Sequence, residues 1–225
     1  MRITNFYDFL NLGHLQLDKF VEIQDEMREL RQKDRMRDTV VFVEHPAAIS
    51  ISKHHVDRDM KFLKVPPETL KAIGIPIVML DRGGSVAVHG KGILGCYIIA
   101  ELKSNKSGSA LLCSIEEWVM RAFSLIGVQL YPYPPGFKNK KIPAAEKSKY
   151  RGLWRGQYKI ATRGAGIKNR VSKFGISINI SPNPSLLSLI HPCGIKDYTL
   201  GSIERLTKQQ LAVGDVIELL KNTPL

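Results

Sequence analysis

The chain has 225 residues, 44% of them hydrophobic and 24% charged, the size and composition of one α+β domain covering 1–225 with a full core. No run of about 18 apolar residues occurs, which excludes a membrane-spanning helix, and three cysteines without CxxC spacing exclude a disulfide framework and a zinc site. The net charge of +12 points to an anionic partner, and a start without an apolar signal region makes the cytoplasm the expected compartment.

Apolar residues Phe20, Ile23, Met27 and Leu30 recur at helical spacing and predict an amphipathic helix over 18–37. A strand follows over 39–44, ended by His45-Pro46. Residues 76–81 read as a second strand that stops at Gly83-Gly84. Strands over 85–89 and 93–102 flank a glycine-rich turn at Gly90-Lys91-Gly92. A helix over 109–126 carries Leu112, Ile115, Trp118, Val119 and Phe123 on one face. Tyr131-Pro-Tyr-Pro-Pro-Gly136 breaks regular structure, and 137–149 reads as a mobile basic loop. Residues 152–164 predict a hairpin turning near Arg155-Gly156, followed by a strand over 173–180, a short helix over 184–190 and a terminal helix over 207–220. Strands in the middle with helices beside them predict an α+β fold with a mixed sheet.

Three segments could carry chemistry. The first is Arg82-Gly-Gly-Ser-Val-Ala-Val-His89, continuing through Gly90-Lys91-Gly92. Its glycines let backbone approach a ligand closely, although a plain tight hairpin has the same composition. It matches neither a Walker loop nor a dinucleotide-binding fingerprint. The second is Cys193, placed in a turn by Pro192 and Gly194, with His191 two residues away. A lone cysteine is more often a small buried hydrophobe, the reading given to Cys96 and Cys113. The third is Lys159, in a strand-like run where a lysine usually points to solvent; facing a thiol, it would favour the thiolate and shuttle protons. His14, His45, His54 and His55 read as surface or turn residues. Between 138 and 173 stand twelve Lys or Arg and one acid, Glu146. Such a segment suits an acidic protein surface or nucleic acid, and it could equally be a solvated loop.

Taken together, Arg82-Gly-Gly-x4-His-Gly-x-Gly, Lys159-Ile-Ala-x2-Gly164 and Pro192-Cys-Gly-Ile195 resemble the lipoyl(octanoyl) transferases, over roughly residues 40 to 205. Glu44-His45-Pro46 and Asn179 look like further family positions. The resemblance implies the fold shared with lipoate- and biotin-protein ligases and an octanoyl thioester on Cys193, with Lys159 lowering the thiol pKa. It implies acyl-pocket contacts from Arg82, Gly83, Gly84, Ser85, Val86, Ala87, Val88 and His89, from Thr162, Arg163 and Gly164, and from Phe174, Gly175 and Ile176. The implied donor is octanoyl-acyl carrier protein. The implied acceptors are lipoyl domains of 2-oxoacid dehydrogenases and a glycine cleavage H-type protein. No cofactor, metal, membrane or nucleic acid is expected. A pair acting together also predicts that Lys159 and Cys193 are neighbours in the fold.

Some positions depart from the family pattern. Phe174 stands where the family usually has His, Lys91 and Ile93 where it has Pro and Gln, and Arg163 where it has an apolar residue. Phe174 could wall an acyl chain but cannot hydrogen-bond as His does. Two other readings remain open: an ATP-dependent lipoate- or biotin-type ligase, and a basic binding module without enzymatic activity. Turnover without ATP separates the first from a transferase; salt-dependent RNA affinity without acyl transfer marks the second.

Overall fold

Two apolar runs without alternation, Thr39–Glu44 and Ile93–Ile99, need cover on both faces. The computed structural model, which describes residues 7–102, 107–137, 142–195 and 197–225, supplies that cover. In chain order the elements begin β1 (Asp8–His14), α1 (Leu17–Gln32), β2 (Thr39–Glu44), β3 (Ala48–Ser52), α2 (Val56–Met60), α3 (Pro67–Ala72), β4 (Ile77–Leu80), β5 (Ala87–His89) and β6 (Ile93–Ile99). They continue with α4 (Gly108–Leu125), α5 (Ala144–Tyr150), β7 (Leu153–Arg155), β8 (Tyr158–Lys168), β9 (Val171–Asn179), α6 (Pro184–Leu187), β10 (Thr199–Leu200), α7 (Ile203–Thr207) and α8 (Val213–Lys221).

The larger sheet has the order β1-β2-β6-β9-β8-β10, with β7 also paired to β8. β2, β6, β9 and β8 run antiparallel to their neighbours, while β1 and β10 join parallel. The smaller sheet has the order β4-β3-β5. The expected mixed sheet flanked by helices is therefore present. On one face of the large sheet, α4 and α8 bury Trp118, Val119, Phe123, Ile217 and Leu220 against Phe42, Ile98 and Ile176. On the other, α1 brings Leu17 and Phe20 against Val43, Tyr97 and Phe174. Each such side chain contributes about 1.5–3 kcal/mol of burial. The small sheet packs Ile49, Ile51 and Val88 on Leu70, Leu186 and Ile190. Among the described residues no helix is long and apolar enough to cross a membrane.

Several boundaries differ from the sequence pattern. α1 ends at Gln32 because the chain turns off it through left-handed Asp34 (φ 52). The terminal helix is two helices: α7 starts early on its cap Ser202, whose Oγ accepts from Arg205 N, and stops at left-handed Lys208. The segment expected to be a mobile loop instead forms α5 over its last part, while Lys138, Lys140 and Lys141 lie outside the described residues. β1, a half-exposed strand with Asp, Asn and Gly in it, carried too weak an alternation to predict.

Candidate functional site

The turn bearing Cys193 is pinned from behind. Ile190 bridges to Leu63, and His191 N–H donates to Phe62 O at 2.8 Å. Gly194 N–H donates back to His191 O and Ile195 N–H to Pro192 O, closing a short 3-10 turn over Pro192–Gly194. Within it Cys193 is left-handed, with φ 54 and ψ 26. That conformation costs about 1–2 kcal/mol for a residue with a Cβ, a strain that recurs at functional positions.

Lys159 comes from the start of β8, paired with Trp154 of β7 on one side and Leu200 of β10 on the other. It is 1% exposed, one of the largest fully buried side chains. The usual outward orientation of a strand lysine therefore does not hold here. Its Nζ donates to Cys193 Sγ at 3.3 Å and to Lys149 O at 3.3 Å, and lies 5.3 Å from the centre of the Trp154 ring. Trp154 is fixed in turn by its indole N–H, which donates to Tyr150 O at 2.8 Å. Gly152 makes room for the lysine stem: a Cβ there would fall 2.6 Å from Lys159 Cε. The lysine and the thiol, distant in sequence, meet as predicted.

A narrow inner cavity of about 30 Å³ opens beside the sulfur. Of the residues singled out in the sequence, Arg82, Ser85, Val86, Ala87, His89, Thr162, Arg163, Gly164, Phe174 and Gly175 line it, together with Leu80, Tyr97 and Ser177. Val88 and Ile176 do not. They alternate with Ala87 and His89, and with Gly175 and Ser177, so the strand period turns them into the apolar clusters behind. Phe174 would also face away by that period, but it takes a left-handed conformation (φ 65) while its N–H donates to Gln24 Oε1 at 2.8 Å. Its ring then meets Tyr97 edge-on at 6.2 Å. Gly83 and Gly84 face a second, outer cavity instead.

The inner wall carries a buried polar chain. Arg82 donates through Nη2 to Ser50 Oγ at 2.8 Å, and Ser50 Oγ lies 2.8 Å from His89 Nε2. Burial, reinforced by His45 and Arg82, drives the His89 pKa well below its ordinary value, so the ring is neutral and can accept the serine proton. His45, expected in a surface or turn role, is buried and its pKa likewise depressed by desolvation; its Nδ1 lies 2.7 Å from Leu15 O and its Nε2 3.3 Å from the Tyr97 hydroxyl. Burial pushes the Tyr97 phenol up to about 12, so it stays protonated. Sequence reasoning missed Leu80, Tyr97 and Ser177; a tyrosine inside the apolar run Ile93–Ile99 was the available signal.

The outer cavity, of about 530 Å³, meets the inner one at Ser85, Arg163, Gly164 and Cys193. Arg58, Lys149, Arg151 and Arg163 line it. Behind them, buried Glu116 accepts from Arg151 at 2.9 Å and lies 3.5 Å from Arg163. Cys113, expected in the core, is only partly buried and is hydrogen-bonded by Arg151, whereas Cys96 is fully buried with its thiol pKa raised by desolvation.

Residues 19–223 match the family model described as the lipoyl protein ligase A/B catalytic domain. The chain is 33% identical over 207 residues to the octanoyltransferase of Syntrophobacter fumaroxidans, covering 92% of this chain and 84% of that one. It is 31% identical over 198 residues to the octanoyltransferase of Alkaliphilus metalliredigens, covering 88% and 84%. Among solved structures it is similar to protein Ta0514 of T. acidophilum with bound lipoic acid, at a TM-score of 0.71, 14% identity and coverage of 95% and 82%. It is also similar to lipoate-protein ligase A bound with ATP, at a TM-score of 0.67, 12% identity and coverage of 96% and 82%.

Proposed function

This chain belongs to the lipoyl protein ligase A/B catalytic-domain family, and from that premise we propose that it moves an octanoyl group from a carrier thiol, through a thioester on Cys193, to a lysine amine of a lipoyl domain. The observation that carries the reading is Lys159 Nζ at 3.3 Å from Cys193 Sγ at the junction of two cavities. A cation at that distance favours the thiolate, the form of cysteine that attacks.

The proton balance closes on the pair. The Cys193 thiolate, facing the Lys159 ammonium, attacks the donor thioester carbonyl. The carbon–sulfur bond to the donor breaks, and the leaving thiolate takes the proton from Lys159. The acceptor amine then attacks the Cys193 thioester, its surplus proton passes to Lys159, and the thiolate is restored. The first step exchanges thioester for thioester and the second forms an amide downhill, so ATP activation is not needed. The inner cavity, walled by Leu80, Val86 and Phe174, receives the acyl chain. The cationic outer cavity favours the acceptor lysine as free amine, its reactive form.

Octanoyl-acyl carrier protein is the proposed donor, and lipoyl domains of 2-oxoacid dehydrogenases or a glycine cleavage H-type protein are the proposed acceptors. Such proteins are generally acidic, and the basic stretch around the site would steer them. The test is intact mass after incubation with octanoyl-carrier protein without ATP, followed by addition of a lipoyl domain. One octanoyl adduct on Cys193, chased onto a lipoyl-domain lysine and absent in Cys193→Ala, is expected. An adduct on Cys96 or Cys113, or transfer only from octanoate plus ATP, overturns the reading.

A further inference from the structure

Two consecutive residues of β9 both turn toward α1. Lys173 Nζ donates to Asp25 Oδ1 at 2.9 Å, and the Phe174 N–H donates to Gln24 Oε1 at 2.8 Å. Lys173 Nζ also lies 5.4 Å from the centre of the Phe174 ring. In an extended strand such neighbours face opposite ways; here the left-handed backbone of Phe174 (φ 65) puts them on one side. Gln24 is fully buried and lines neither cavity. Its Oε1 serves Phe174, while its Nε2 has no partner among the described residues. Only the oxygen of an amide can accept an N–H, so Phe174 dictates which way the amide points and leaves a buried donor unsatisfied. A strained aromatic residue and an orphaned donor thus meet at one hydrogen bond, at the wall of the inner cavity.

We infer that Gln24 is a positioning residue for acyl-chain selection: by accepting the Phe174 N–H it holds that residue left-handed, and the left-handed backbone keeps the ring in the wall of the inner cavity. What is selected is the hydrocarbon end of a saturated acyl thioester. Phe174 meets the chain, and Gln24 acts through it. Asp25, next on α1, ties the helix to β9 through Lys173 and is itself held by Arg28 at 2.7 Å, so the helix carries the acceptor at a fixed height over the strand. Without that acceptor the Phe174 N–H loses its partner and nothing offsets the cost of the left-handed conformation. Relaxation toward extended backbone then carries the ring off the cavity by the strand period. This inference rests on the proposed transfer reaction and on the inner cavity receiving the acyl chain.

The test is the ratio of kcat/KM for decanoyl-pantetheine over octanoyl-pantetheine, with one lipoyl-domain acceptor, in wild type, Gln24→Met, Phe174→Ala and the two combined. Met nearly keeps the volume of Gln and withdraws the acceptor. Gln24→Met is expected to raise the ratio by about tenfold, the order by which an apolar pocket discriminates a methylene. In the Phe174→Ala background the ring is gone, so the second substitution should leave the ratio where Phe174→Ala sets it. Gln24→Glu keeps an acceptor oxygen and should keep the wild-type ratio. Lost packing lowers activity on both donors alike, so a merely structural role does not move the ratio. Should Gln24→Met not fold, Gln24→Asn, whose amide is one methylene too short to reach the Phe174 N–H, is read in its place. An unchanged ratio in a folded variant without the acceptor, an equal rise with and without the Phe174 ring, or a shift in Gln24→Glu as large as in Gln24→Met overturns the inference. If the wild type turns over no thioester, the transfer reaction itself falls; wild-type turnover with a ratio that Gln24→Met leaves unmoved removes only the role of Gln24.

Discussion

Gly194 lies so close to the ring of Phe62 that a Cβ on it would come within 2.3 Å of Cε1 and 2.4 Å of Cζ. The glycine is also left-handed, with φ 74, directly after left-handed Cys193. Phe62 therefore acts as a backstop: its carbonyl holds His191 and its ring fills the space behind Gly194. The strained cysteine has no room to relax backwards.

Gly194→Ala is accordingly expected to destabilise the protein by about 1–3 kcal/mol, from the φ penalty and the overlap with the ring. It should slow acylation of Cys193 by about a hundredfold, because displacing the sulfur by about an ångström is enough for that. Thermal melts and the rate of octanoyl-adduct formation read the two effects. Wild-type values for both would show that the backstop does not position the thiol.

Lys159→Met tests the cation beside the sulfur. Removing the amine 3.3 Å from the sulfur should slow octanoyl-adduct formation on Cys193 by about a hundredfold or more, the scale of a lost proton-transfer group. Because Met fills nearly the same volume and still packs on Trp154, the fold should persist. Adduct formation at the wild-type rate in a folded variant would remove the lysine from the mechanism.

The polar chain behind the inner cavity sets a pH dependence of stability. Folded His89 and His45 both resist protonation, chiefly through burial. The unfolded chain binds protons on these residues below about pH 6.5 while the folded one does not. Stability is therefore fully present above that value and falls as pH drops below it, by up to about 1.4 kcal/mol per pH unit per histidine. The melting temperature should drop between pH 7 and pH 5, and His89→Gln should reduce the slope. A slope equal to wild type in that variant would assign the pH dependence to other groups.

Much of this site was legible because its parts are local. A Pro-Cys-Gly turn, a glycine loop with Arg82 and His89, and a lysine in a strand each declare themselves within a few residues. The burial of Lys159 was not legible, since it depends on strand β8 having β7 on one side and β10 on the other and on Gly152 lacking a side chain. Nor was the burial of His45, which requires α1 and Tyr97 to close over it. The strand period decided which loop residues reach the cavity: it removed Val88 and Ile176, and only a left-handed backbone at Phe174 overrode it.

In the proposed reaction, Phe174 is the residue expected to set the depth of the acyl pocket. Its ring is 3% exposed, lies edge-on to Tyr97 and lines a cavity of about 30 Å³. That space holds only about two water-sized bodies, so an acyl chain must displace or slide past the ring. Phe174→Ala removes the obstacle and leaves the backbone N–H free to keep its bond to Gln24. The variant should shift preference toward longer chains, raising kcat/KM for decanoyl over octanoyl donor by about tenfold, since a methylene in an apolar pocket discriminates by that order. The competing effect is lost packing, which lowers stability by about 3 kcal/mol but acts on both donors alike. A decanoyl-to-octanoyl ratio unchanged from wild type would mean that the chain runs elsewhere, past Leu80 and Val86, and that Phe174 is only part of the wall.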